Sequence, residues 1–161
     1  SDRDGTASFF VNLTQAGYSS LANRDDRGTT REISVPVRRL DDLIGQARVD
    51  FVKIDIEGFE FPALRGASEM LRRCRPAILF EAGAADDTRI EAGQADALFA
   101  WLTEAMDYQV FAAFDLHYGR PPLSADGFRS YRRYPFLAFN YIALHRSTEP
   151  SRVQSPGGPN D

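Results

Sequence analysis

Three charged residues stand at alternate positions in the run Val49-Asp50-Phe51-Val52-Lys53-Ile54-Asp55-Ile56-Glu57-Gly58-Phe59-Glu60. They are Lys53, Asp55 and Glu57. The near-continuous apolar pattern around them predicts a strand over 49–56 buried on both faces, as in a parallel sheet. Side chains two apart on a strand share a face. One cation and two carboxylates therefore line one side and gather toward the carboxyl end, where Gly58 breaks the strand. In open α/β sheets the crevice beyond the strands' carboxyl ends is where ligands bind. A second short apolar run, Ala77-Ile78-Leu79-Phe80-Glu81, again ends on a carboxylate. Carboxylates so placed can take a proton from a hydroxyl. They are also hard oxygen ligands for Mg²⁺ or Mn²⁺, which would suit a metal-dependent hydrolase. The purely structural alternative is a non-catalytic α/β module, with Lys53 paired to Asp55 or Glu81 and the acids satisfying backbone donors. His117, in a predicted loop after a strand, is a candidate base or a solvated surface group.

The elements that would position these groups follow from periodicity. Thr6–Leu13 and Arg31–Val37 read as strands able to pair as an antiparallel hairpin with a long loop. Asp41 or a neighbour is expected to cap a short helix through Gln46. A helix over 59–74 follows the central strand, with Pro62 in its first turn and Leu64, Ala67, Leu71 and Cys74 on its inner stripe. Glu60 belongs to that first turn, where it meets the helix dipole. Further on, the pattern predicts a helix over 92–106, a strand over 108–114 and a last strand over 136–144. The stretch 117–134 reads as a solvated basic loop in which Arg129, Arg132 and Arg133 alternate with aromatics. Residues 1–146 are expected to form one domain and 147–161, rich in Pro, Ser and Gly, a disordered tail. Strand, helix, strand, helix, strand is the pattern of a doubly wound α/β fold. The right-handed crossover rule places the Ala77–Glu81 strand beside the central one. Asp55 or Glu57 and Glu81 would then lie on neighbouring strand ends, roughly 5 Å apart between strands.

The 161 residues suffice for one domain with a core, and 43% hydrophobic with 26% charged residues is ordinary for a globular protein. A net charge of -4 argues against a nucleic-acid partner. The single cysteine, Cys74, precludes an internal disulfide and suits a reducing, cytoplasmic compartment. No apolar run approaches the roughly 20 residues of a membrane helix, so no membrane partner is expected. The first residues carry no signal-peptide pattern, and the chain is expected to begin inside a longer protein.

Several stretches together resemble the FkbM-type methyltransferases. They are Leu40–Leu43 (L-D-D-L), Val49–Glu60 (V-D-F-V-K-I-D-I-E-G-F-E), Leu64–Ala67 (L-R-G-A) and Arg75–Glu81 (R-P-A-I-L-F-E), joined by S-D-R-D-G at the start, Gly17–Leu21 (G-Y-S-S-L) and Asp107–Phe111 (D-Y-Q-V-F). The resemblance runs from Ser1 to about Leu144. It implies a Rossmann-like doubly wound sheet of the class I methyltransferase type. It also implies S-adenosylmethionine as cofactor and a hydroxyl of a sugar, polyketide or similar small molecule as methyl acceptor. Asp55 would contact the methionine end of the cofactor or the acceptor hydroxyl. Glu57 would orient the acceptor or act as base, with Lys53 and Glu81 beside them. Ser1 and Asp2 would follow the family's third strand, with Asp2 toward the adenine amine, and Tyr18, Ser19, Ser20 and His117 would face the acceptor. One departure stands out. No glycine-rich turn follows an early apolar strand, so the chain is expected to be the C-terminal part of such a domain, lacking its N-terminal βα units. The sheet edge left uncovered would favour self-association.

Overall fold

The computed structural model describes residues 1–14, 19, 21, 29–56, 58–84 and 94–148. Tyr18, Ser20, Glu57 and residues 149–161 of the expected tail lie outside them. Strands β1 (Gly5–Asn12) and β2 (Thr30–Val37) pair antiparallel from Gly5↔Val37 to Asn12↔Thr30, as their alternation predicts. Ala7, Phe9 and Val11 share one face with Val35 and Ile33, while Thr6, Ser8, Ser34 and Glu32 share the other. No described hairpin side chain joins the hydrophobic core or packs on it. The hairpin is tethered at its base instead. The Ser1 ammonium donates to the Arg38 carbonyl (3.2 Å), and the Arg39 N–H donates to Asp4 Oδ1 (2.9 Å).

The main sheet has the order β3-β4-β6-β5. β3 (Phe51–Ile54) and β4 (Ala77–Glu81) are parallel, with Phe51↔Ala77 and Ile54↔Phe80 as end pairs. β6 (Asn140–His145) runs antiparallel between β4 and β5 (Tyr108–Ala112). β3, β4 and β5 therefore point the same way, and their carboxyl ends share one rim with the start of β6. The sequence expectation for β3 is corrected in two respects. It spans 51–54 rather than 49–56, and it is an outer strand of the sheet with Phe51 and Lys53 exposed. Val52 and Ile54 face the core, while Phe51 and Lys53 face the unpacked side. Deep burial belongs to β4, where Ile78 and Phe80 are wholly enclosed.

The helix expected over 59–74 is two helices, α2 (Glu60–Arg65) and α3 (Ser68–Cys74). The cause lies at Gly66. A Cβ there would stand 1.8 Å from the Ser1 carbonyl oxygen, so the N-terminal segment crosses where only glycine leaves room. The Gly66 carbonyl accepts the Asp41 N–H at 2.8 Å. Asp41 does not cap its own helix, α1 (Leu40–Ile44), but lies inside it. Its carboxylate takes the N–H groups of Glu69 (3.1 Å) and Met70 (2.9 Å), capping α3 from a distance in sequence. Leu64, Ala67 and Leu71 are fully buried, as their stripe requires, and Cys74 is half-buried.

α4 (Gln94–Ala100) continues as a π-helical turn over Trp101–Ala105, burying Leu98, Phe99, Leu102 and Met106. The expected strand over 108–114 ends at Ala112, and α5 (Ala113–His117) follows. The expected basic loop contains a further helix, α6 (Ala125–Tyr131), capped by the Ser124 hydroxyl, which accepts the Gly127 N–H at 3.1 Å. Its arginines are not a solvated patch. Arg129 (3.0 Å) and the buried Arg132 (2.8 Å) both donate to Asp96 of α4, and the Arg132 guanidinium lies 4.6 Å from the centre of the Phe128 ring. A planar guanidinium suits this combined pairing and stacking. β6 starts at Asn140 rather than Phe136, because Phe136 adopts a left-handed φ of 54° that no strand accommodates. Among the described residues, no helix is long and apolar enough to cross a membrane.

Candidate active site at the carboxyl rim of the sheet

The site begins from the parallel register. The last pair is Ile54↔Phe80, so Asp55 is the first residue beyond β3 and Glu81 the last residue of β4, at the same end of the parallel pair. Both carboxylates occupy the same rim, on adjoining strands, as the alternation in the sequence requires. Lys53 Nζ donates to Asp55 Oδ2 at 3.2 Å, both side chains being substantially exposed. Glu81 continues the ladder on its other side, opposite Asn140.

The turn from Asp55 to α2 is built around Glu60. This carboxylate is 6% exposed, and its Oε1 accepts the Ile56 N–H at 2.9 Å. Gly58 has φ 96°, a backbone open to glycine without strain, and it lets the chain turn back toward that carboxylate. Burial pushes the Glu60 carboxyl above its usual range. Backbone N–H donors from Ile56, Glu60 and Gly58 pull it partly back, and the nearby Asp55 charge adds to the rise. Glu60 does sit in the first turn of its helix, yet its side chain also holds the turn after Asp55 through the Ile56 N–H. The signal available in the sequence was a glutamate entering a helix four residues after Ile56, which is capping chemistry rather than catalysis.

The remaining candidates are distributed more widely. His117 ends α5, so it shares the rim, but β6 separates its strand from β4; its ring meets Tyr118 edge-on at 5.1 Å. Ser1 and Asp2 lie against Gly66, between α2 and α3, a helix length from Glu60. Ser19 accepts the Asn12 N–H at 3.0 Å, at the hairpin end far from the tethered base. Lys53 and Asp55 are hydrogen-bonded and Glu81 ends the neighbouring strand at the same rim, while Ser1, Asp2, Ser19 and His117 lie on other segments. Among the described residues, no three His, Cys, Asp or Glu side chains gather in a way that could hold a metal ion.

A mixed parallel and antiparallel sheet with helices, carrying acids at the carboxyl rim, defines an α/β domain with a strand-end site. The family described as the methyltransferase FkbM domain matches residues 1–110, and the chain belongs to that family. No curated protein and no solved structure matches the chain.

Proposed function

We propose that this chain carries the acceptor side of an S-adenosylmethionine-dependent O-methyltransferase with a Rossmann-like sheet, acting on a hydroxyl of a sugar, polyketide or similar small molecule in the cytoplasm. The observation that carries this reading is the position of Asp55, the first residue after β3, and Glu81, the last residue of β4, at the same end of two adjoining parallel strands within a chain of the methyltransferase family. An acidic rim complements a ligand bearing a sulfonium and an ammonium. The nucleotide half has no such match, because no strand followed by a glycine-rich turn and a helix occurs among the described residues.

When bound, the cofactor supplies an electrophilic methyl group already activated for transfer. What the chain's own residues contribute is placement and a proton acceptor. Asp55 and Glu81 hold the acceptor hydroxyl or the cofactor's cationic end. Glu57 takes the hydroxyl proton or orients the acceptor. Lys53 fixes Asp55 through its 3.2 Å bond. The family resemblance assigns Ser1 and Asp2 to the adenosine end and Tyr18, Ser19, Ser20 and His117 to the acceptor; these roles rest on that resemblance, since Ser1, Asp2, Ser19 and His117 lie on segments apart from Asp55 and Glu81. Calorimetric titration with S-adenosylhomocysteine tests this. The parent chain should bind, and Asp55→Asn should bind about tenfold or more weakly, as expected for loss of a charged hydrogen-bond partner. No heat with the parent chain, or equal affinities, would count against it. The open outer edge of β3 also favours self-association, which light scattering at rising concentration checks; a strict monomer would remove that part of the reading.

A further inference from the structure

Eleven large apolar side chains stand exposed among the described residues, and seven of them lie on segments that leave or enter the strands at the carboxyl rim. Ile56 lies in the turn after β3, Phe114 and Tyr118 lie in and after α5, and Tyr134, Phe136, Leu137 and Phe139 lie in the loop before β6. A scatter of single exposed residues would need no explanation, but a cluster beside a ligand rim does. In the 132–139 loop the rings touch one another, with Tyr134 to Phe136 at 6.0 Å and Phe136 to Phe139 at 5.5 Å between centroids.

The backbone holds these rings outward. Phe136 has φ 54°, a left-handed conformation that a bulky residue adopts only at a cost and only where its surroundings impose it. Those surroundings are three backbone bonds: Phe136 N–H to the Arg133 carbonyl (2.7 Å), Leu137 N–H to the Tyr131 carbonyl (2.9 Å) and Ala82 N–H to the Phe139 carbonyl (2.9 Å). The last of these joins the loop directly to the strand end that bears Glu81, which is itself paired with Asn140. Aromatic rings on a loop whose backbone is bonded to a strand end that bears a carboxylate offer a platform for a ring with one apolar face and hydroxyls at its edge.

We propose that the 134–139 loop is the acceptor platform. It takes the apolar face of a ring-bearing alcohol on Phe136 and Phe139 and sets the alcohol's hydroxyls at the strand end of Glu81. This inference rests on the methyltransferase reading for the fate of the hydroxyl, but not for the binding itself.

The test is amide NMR on the isotope-labelled chain, titrated with phenyl β-D-glucopyranoside and with methyl β-D-glucopyranoside. The two share their hydroxyls and differ in apolar surface. The phenyl glycoside should shift the amides of 134–140 and Ala82 at concentrations about tenfold lower than the methyl glycoside. The double substitution Phe136→Ala, Phe139→Ala should erase that response. Phe51→Ala, which removes a still more exposed ring from β3, should leave it intact. Equal responses to the two glycosides overturn the proposal. So does a response that survives the loss of both rings, or one that follows protein concentration instead of glycoside, which would mark the rings as a contact between copies. A parallel titration with S-adenosylhomocysteine that shifts nothing sinks the methyltransferase reading and leaves the glycoside result to stand or fall alone.

Discussion

At the amino-terminal end of the main sheet, Tyr108 is wholly buried and its hydroxyl donates to the Pro76 carbonyl at 3.1 Å, with the His145 ring edge-on at 5.2 Å. At the carboxyl end, Tyr134 is 86% exposed, and Phe114, Phe139 and the Lys53–Asp55 pair are also exposed. The same residue type is used in opposite ways a strand's length apart. One end is sealed, with its polar atoms satisfied inside the protein, and burial raises the Tyr108 hydroxyl pKa far above its usual range. At the other end Phe80 and Tyr141 are buried, but several rings and the Asp55 carboxylate beyond them stand in solvent. The first end is expected to contribute more to stability per ring than the exposed rings of the second.

Truncating the two tyrosines tests this contrast at its widest. Tyr108→Ala should cost roughly 3–5 kcal/mol in urea unfolding, because it opens a cavity and strands the Pro76 carbonyl. Tyr134→Ala should change stability by no more than about 0.5 kcal/mol. Comparable losses would mean that the rim is packed after all.

A smaller effect is expected at Asp41, whose carboxylate holds the first N–H groups of α3. Asp41→Ala should cost about 1 kcal/mol, and Asp41→Asn, which keeps an acceptor oxygen, should recover part of it. The same urea titrations read both, and no difference between Ala and Asn would deny the cap. The distant cap shows why parts of the fold were illegible in the sequence. The hairpin, the parallel β3–β4 pair and the inner stripes of Leu64, Leu71, Leu98 and Leu102 follow from periods of two and 3.6, and the structure has them. The break at Gly66 depends on Ser1 crossing it, and the cap of α3 comes from α1. Neither is a local signal. The same holds for 117–134, where Arg132 looked solvated because its partner, Asp96, lies in another helix. In the site, Lys53, Asp55 and Glu81 were legible because alternation and crossover handedness decide which strand ends adjoin. Glu60 was legible only as a helix-entry residue, and the aromatic loop was read as strand because Phe136's left-handed backbone leaves no trace in composition.

Glu60 sharpens the comparison, being a buried acid at the open end. Its carboxyl is raised in the folded chain, chiefly by burial. The folded state therefore holds the proton more firmly than the unfolded chain. That contribution to stability is fully present below the unfolded carboxylate's pKa and is lost as pH rises through the higher folded value. Glu60→Gln removes the titration and keeps an oxygen for the Ile56 N–H. The difference in urea midpoint between parent and variant should shift toward the variant as pH rises through that window. A difference independent of pH would show that the turn after β3 holds no such strained acid.

The smallest expected effect on stability falls on the pair that first marked the site. Lys53 and Asp55 are 60% and 44% exposed in their side chains, so water screens their attraction. Lys53→Met should alter unfolding by less than about 0.5 kcal/mol. Its consequence should appear in binding. With the ammonium gone, Asp55 presents its full charge to the rim, and a ligand with a sulfonium gains more than one with an uncharged thioether. S-adenosylmethionine should therefore bind more tightly relative to S-adenosylhomocysteine in Lys53→Met than in the parent, and added salt should shrink the difference. If the substitution instead weakens both ligands equally, the lysine contacts a group they share. If it unfolds the chain, the carboxyl rim is part of the stable body, and the contrast between the two ends of the sheet fails.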